Sequence, residues 1–223
     1  MNRDIQIEEK RESSDIEINL KPAIKKRLEP VVLEVFSQGD FHQVNMREIA
    51  KKAGVGYATI YRHFKSKEQL LFWFVDLWLS DLIERIIDHL QGLEEIKEKI
   101  RKIVWLQLDF YNRNPKVARI IMTAVPLNTW MNDKTYRQER MSKLIMEVFR
   151  EGQARKTLDA TLPTHTLLDV LLALIARTFI MWIYRGQKGD LTEKSNDLFK
   201  IIWRAIADPE TLRKDDINRS RNG

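Results

Sequence analysis

From Lys21 to Ala207 apolar residues return at every third or fourth position, and the strict alternation that a half-buried strand requires is almost absent. That spacing matches the 3.6 residues of a helical turn, so the chain is restricted to an all-α fold. Glycine and proline are sparse and fall mostly between the periodic stretches, where they read as stops. Nine helices are expected, at about 21–37, 46–53, 57–63, 67–90, 94–113, 115–123, 133–153, 164–185 and 192–207. The first carries a stripe of Ile24, Leu28, Val31, Val32, Val35 and Phe36, and Pro30 within it predicts a kink, or a separate short turn before Arg27. Residues 1–20 read as a polar, flexible leader, and 209–223 as a frayed polar tail.

Hydrophobic residues make up 43% of the 223, enough for a sizeable core. There is no cysteine, which removes disulfides, thiolate metal sites and a thiol nucleophile. No run of about 18 uncharged apolar residues occurs; the nearest, from Val170 to Tyr184, is interrupted by Arg177. The leader lacks a signal-peptide apolar core. The expectation is a cytoplasmic protein with no membrane partner.

The positive charge is concentrated. Between Lys21 and Lys67 there are ten Lys/Arg against four Asp/Glu, whereas residues 1–20 are net acidic. A local cationic excess suits a polyanion. In the same segment, three short helices occupy about 43 residues, and Gly54 joins the second tightly to the third. That is a helix-turn-helix arrangement. Ala50 is small where the two helices approach, Gly54 permits a left-handed backbone, and Ile60 plugs the angle between them. Ile49, Val55 and Phe64 complete a miniature core. Asn45 and Glu48 resemble a capping box for the second helix, and Ser66 with Gln69 marks the start of the fourth.

The run from Met46 to Leu71, and above all Thr59-Ile60-Tyr61-Arg62-His63-Phe64 followed by Lys65-Ser66-Lys67-Glu68, closely resembles the signature of the tetracycline-repressor-like (TetR) family. Val35 to Phe41 is similar to that family's first helix and turn. The motif match covers about residues 24–72; beyond it only length and helix order are similar. The resemblance implies a helix-turn-helix DNA-binding domain at 21–66 and a helical effector-binding and dimerisation domain at 67–208. It places the third helix in a major groove. Tyr57 then meets a base edge or a thymine methyl, and Ala58 allows close backbone approach. Thr59 and Tyr61 offer hydroxyls, and Arg62 reaches a guanine or a phosphate. His63 and Lys67 grip phosphates, while Asn45 caps the second helix beside Arg47 and touches backbone phosphate. Gly56, Tyr57 and Ala58 depart from the commoner Ser, Lys or Arg, and Gly, which alters base preference.

The resemblance further implies a homodimer through the last two helices, bound to a near-palindromic double-stranded operator and released by a small apolar or amphipathic effector. Aromatic and methionine residues suggest its pocket: Trp78, Trp105, Tyr111, Met122, Trp130, Phe149 and Met181. Gln107 interrupts an apolar stripe, and Arg177 interrupts an apolar helix. If buried, each needs a partner, for which a ligand, Asp109, Asp169 or a backbone carbonyl would serve. A carboxylate, phosphate or acyl thioester is a candidate partner for Arg177. The competing non-enzymatic reading is an architectural DNA-binding protein without an effector. Enzymatic chemistry finds no support: His42, His63, His89 and His165 form no helix-spaced metal pair, and no Gly-rich phosphate loop or nucleophile elbow occurs. Neither metal nor cofactor is expected.

Overall fold

The computed structural model describes residues 18–38, 40–126, 129 and 139–221. Among these the regular elements are helical, apart from one isolated antiparallel bridge between Leu158 and Ala207. The head comprises α1 (Pro22–Gln38), α2 (Met46–Ala53) and α3 (Tyr57–His63). The long α4 (Lys67–Leu90) leads into a body of α5 (Ile96–Arg113), α6 (Pro115–Arg119), α7 (Glu139–Ala154), α8 (Thr164–Tyr184), α9 (Ser195–Ile206) and α10 (Pro209–Arg221).

Helix α1 runs unbroken through Pro30. The expected separate turn is absent because Pro30 lies on the exposed face, where the carbonyl that loses its N–H partner can be solvated. Leu28, Val32 and Phe36 form its buried stripe. Leu20 is also buried and Ile18 packs against the core, so the head includes residues expected in the leader. Gly54 closes α2 in the left-handed conformation, φ 59° and ψ 34°. Arg27 fixes that turn from α1: its Nε donates to the Ala53 carbonyl at 3.1 Å and its Nη2 to that of Gly54. A cation thus sits on the negative end of α2, where helix carbonyls lack partners. Ile49, Ile60 and Phe64 are fully buried, and Phe64 meets Trp73 of α4 edge-on at 5.7 Å.

The head is tied to the body by more than the α3–α4 link. Trp78 of α4 donates to Glu29 of α1 at 2.9 Å, and Lys116 of α6 pairs with Glu34 of α1. After α6 the chain loosens into a π-helical turn, Ile120–Ala124, which packs on α1. The expected helix over 115–123 is therefore five α-helical residues followed by a wider turn. The seventh helix, expected from 133, is described from Glu139; 133–138 lie outside the described residues.

The sequence 209–223, expected to fray, forms α10 over Pro209–Arg221. Asp208 accepts from the Glu210 N–H at 2.9 Å and Pro209 occupies the first helical position, both ordinary ways to begin a helix. Asp215 then accepts from Lys97 at 2.6 Å and from the Trp203 indole at 3.0 Å, which pins α10 to α5 and α9.

Helix α5 is the axis of the body, packed by α4, α7, α8 and α9. From Ile103 to Tyr111 every residue except Trp105 is buried. Asp109 is held at its far end by Arg85 of α4 at 2.7 Å and by Arg113 at 2.8 Å.

Candidate nucleic-acid interface and body site

Helix α3 packs through Ile60 and leaves its opposite face open. Tyr57 and Tyr61, four apart and so on one side of the helix, are 39% and 48% exposed with ring centroids 5.8 Å apart. Arg47 of α2 lies 5.4 Å over Tyr57, and Lys65 lies 5.4 Å over Tyr61. Cation, two phenol rings and cation form a ladder along the outer edge of the head. Such cation–ring contacts contribute about 0.5–1 kcal/mol each when exposed. Their consequence here is to hold flexible side chains in a row. Ala58 and Arg62 are also exposed, while Thr59 and His63 are half-buried. Lys65 is a member of this ladder that carries no expected role; its position four after Tyr61 is the signal that could have found it.

Two residues behave differently from expectation. Lys67, expected on a phosphate, turns inward: its ammonium donates to the carbonyls of Phe41 at 2.7 Å, His42 at 3.0 Å and Val44 at 3.4 Å, and lies 4.7 Å over the Phe41 ring. All three N–H donors are used within the head. Glu48, expected to reach back to Asn45, pairs with Lys52 at 2.7 Å instead, and this contact lowers its pKa. Asn45 does cap α2, accepting from Arg47 N–H at 2.8 Å. Ser66 caps α4, accepting from Gln69 N–H at 3.1 Å, while the Gln69 side chain accepts from the Lys65 N–H at 2.7 Å.

In the body, the expected pocket residues do not form one cluster. Gln107 and Tyr111 share a face of α5, and Tyr111 lies 5.7 Å from Phe179 of α8. Gln107, Tyr111 and Phe149 are buried, and Met122 and Met181 are half-buried. Burial pushes the Tyr111 hydroxyl well above the usual phenol range. Trp78 is buried but is occupied by Glu29 at the head–body junction. Trp105 points away from Gln107, into a half-open outer cleft of about 340 Å³ shared with Arg101, Lys102 and Asn196. Arg177 is exposed and is therefore not a buried group in need of a ligand; the apolar run hid which side of α8 it occupies. Trp130 lies outside the described residues.

A compact head with an uncovered, cation-edged helix, carried on an all-helical body, defines a helix-turn-helix DNA-binding regulator. Residues 32–72 match the model for bacterial regulatory proteins of the tetR family, and 76–205 match the YsiA-like C-terminal region. The chain belongs to the TetR family of transcriptional regulators, which are not enzymes. It is 24% identical over 182 residues to a fatty acid metabolism regulator protein of Bacillus subtilis, covering 78% of this chain and 91% of that one. It is 28% identical over 191 residues to a nucleoid occlusion factor SlmA of Klebsiella pneumoniae, covering 81% and 90%. Among solved structures, a tetR family regulator from Shewanella superposes with a TM-score of 0.71 at 22% identity, over 82% of this chain and 98% of that one. The FadR regulator of Bacillus subtilis in complex with stearoyl-CoA does so with 0.69 at 21%, over 79% and 96%.

Proposed function

We propose that this protein is a cytoplasmic repressor that binds a near-palindromic operator as a homodimer and releases it when a small, largely apolar effector enters the body. The observation that carries the DNA reading is the exposed ladder of Arg47, Tyr57, Tyr61 and Lys65 on and beside α3. Its phenol faces suit thymine methyls and base edges in a major groove, and its cations suit the flanking phosphates.

The dimer reading rests on α8 and α9. Helix α8 buries Leu167, Leu171, Ile175 and Phe179 on one side, yet on the other leaves Leu172, Ala173 and Tyr184 exposed, Tyr184 to 82%. Helix α9, packed beside it, leaves Ile201 57% exposed. By length and composition α8 would also cross a bilayer. However, His165, Asp169 and Arg177 share its exposed face, which suits a second protein copy better than lipid. A two-fold pairing of α8 and α9 sets two copies of α3 on neighbouring major grooves, about 34–36 Å apart.

The effector reading draws on the stearoyl-CoA complex of the structural neighbour and on the apolar surroundings of Gln107 and Tyr111. A ligand that favours one tilt of α4 changes the separation of the heads, so ligand and DNA weaken each other by the same coupling free energy. The nucleoid occlusion relatives support a second reading, an architectural DNA-binding protein. Selection of bound duplexes from a random pool, with and without stearoyl-CoA, separates the two. The sensor yields one inverted-repeat sequence and loses it when ligand is added. An architectural protein keeps its DNA, and failure to retain any duplex refutes both.

A further inference from the structure

Gln107 lies near the middle of α5, 1% exposed, and its Nε2 is shut off from solvent without a hydrogen-bond partner among the described residues. A buried amide donor left unsatisfied is destabilising, a cost that leucine or methionine at the same place would not incur. The nearby carboxylate is not available to it. Asp109 is two positions on, which places it on the other side of the helix, where it is turned to Arg85 and Arg113. Asp169, the other acid considered from sequence, is exposed on α8.

We infer that Gln107 is the polar anchor of the effector site, and that it selects an apolar ligand carrying an uncharged carbonyl oxygen, as in an ester, thioester or amide, over a free carboxylate. This rests on the sensor reading above. The group that Nε2 lacks is an acceptor, and the buried residues one turn away on α5 and on the helix packed against it are apolar or uncharged. Val104 lies one turn before it on α5 and is buried, as are Ile145 and Phe149 on α7, which packs against α5. Tyr111, one turn after it, stays protonated and contributes no charge. The cations of α5 are turned elsewhere: Arg101 stacks 4.4 Å over Phe199 and Lys102 lies 5.4 Å over Trp105, both in the outer cleft, while Arg113 serves Asp109. Arg177 of α8 is exposed. A carboxylate brought to Gln107 would lose its hydration and meet no ammonium or guanidinium from these, whereas a carbonyl oxygen would satisfy Nε2 at little desolvation cost.

Calorimetric titration of the full chain tests this with two probes that differ by one oxygen: stearoyl-CoA and its S-alkyl thioether analogue, which has no carbonyl. The wild type should bind the thioester about tenfold more tightly, the factor for one hydrogen bond of about 1.4 kcal/mol. Gln107→Met and Gln107→Leu should bind both probes alike, and should melt no lower than the wild type because an unpaired polar group has been removed. Methyl laurate should also outcompete laurate in the wild type. A thioester-to-thioether ratio near one in the wild type, or an undiminished ratio in a folded Gln107 variant, overturns the anchor, as does tighter binding of laurate. If the wild type binds neither CoA probe nor methyl laurate, the sensor reading itself falls, and the anchor with it.

Discussion

Replacing Lys67 with methionine removes an ammonium while keeping an apolar stem, and the structure gives that change an outcome opposite to the one its sequence position implies. The ammonium closes the short 3-10 turn Phe41–Gln43 by donating to the carbonyls of Phe41, His42 and Val44. A hydrogen bond from a charged donor contributes about 1.5–3 kcal/mol when well enclosed. Lys67 is half-buried and its contact to Val44, at 3.4 Å, is long, so the two shorter bonds at a reduced value put the loss at about 2 kcal/mol. For a chain of this size that is a fall in melting temperature of about 4–8 °C. The discriminating assay is the salt dependence of affinity for a fixed duplex. A residue that neutralises one phosphate contributes about 0.9 to the log–log slope. Lys67→Met should leave that slope unchanged while lowering the melting temperature, whereas Lys65→Ala should flatten it by close to one unit with little change in melting. If Lys67→Met flattens the slope and melts like the wild type, the carbonyl cage is not where that ammonium spends its time, and the reasoning fails.

Other expectations follow from particular contacts. Gly54→Ala places a Cβ in a left-handed conformation and drives it into the Arg27 guanidinium, so the urea midpoint should fall by an amount equal to about 1–2 kcal/mol or more; an unchanged midpoint would mean that the turn is not held by Arg27. Leu172→Asp combined with Ile201→Asp puts charge on the uncovered face of α8 and α9 and should convert a dimer at micromolar concentration into a folded monomer in sedimentation; dimers that survive would move the interface elsewhere. The hydrogen bond from Lys99 to Glu151 holds that carboxyl below its usual value of 4.5. A depressed folded-state pKa contributes stability that is present above about pH 4.5 and lost as the pH falls through the folded value. Glu151→Gln should therefore flatten the decline of melting temperature in acid, and a decline as steep as that of the wild type would remove the pair from the acid response.

Much of the head was legible because its contacts are local. The Asn45 and Ser66 caps, the left-handed conformation at Gly54 and the burial of Ile49, Ile60 and Phe64 follow from residues a few positions apart, whereas the Arg27 contacts that hold the Gly54 turn come from 26 and 27 positions upstream. What escaped was decided by distant neighbours or by competition. Glu48 had two partners within reach, the Asn45 backbone and Lys52, and spacing does not rank them. Lys67 found its carbonyls about 25 positions upstream. Asp208-Pro209 reads equally well as the end of one helix and the start of another, and only the Asp215 contacts to Lys97 and Trp203 show that a second helix follows. In α8, an apolar sequence all round concealed which stripe faces the core, so Arg177 looked buried when it is exposed. Gln107 is conspicuous as a polar residue in an apolar stripe, but that its amide has no partner among the described residues is a matter of three dimensions.

The ties from α1 to the body also bear on re-engineering. Exchanging residues 21–66 for another regulator's head would seem to swap operator choice and leave the response to effector intact. A cut at Ser66 carries Glu29 away from Trp78 and Glu34 away from Lys116, and strips the π-helical turn at Ile120–Ala124 of the surface it packs on. A working chimaera has to import matching acids on its first helix, or bring its own α6 segment with it. The transplantable unit in this protein is therefore discontinuous in sequence.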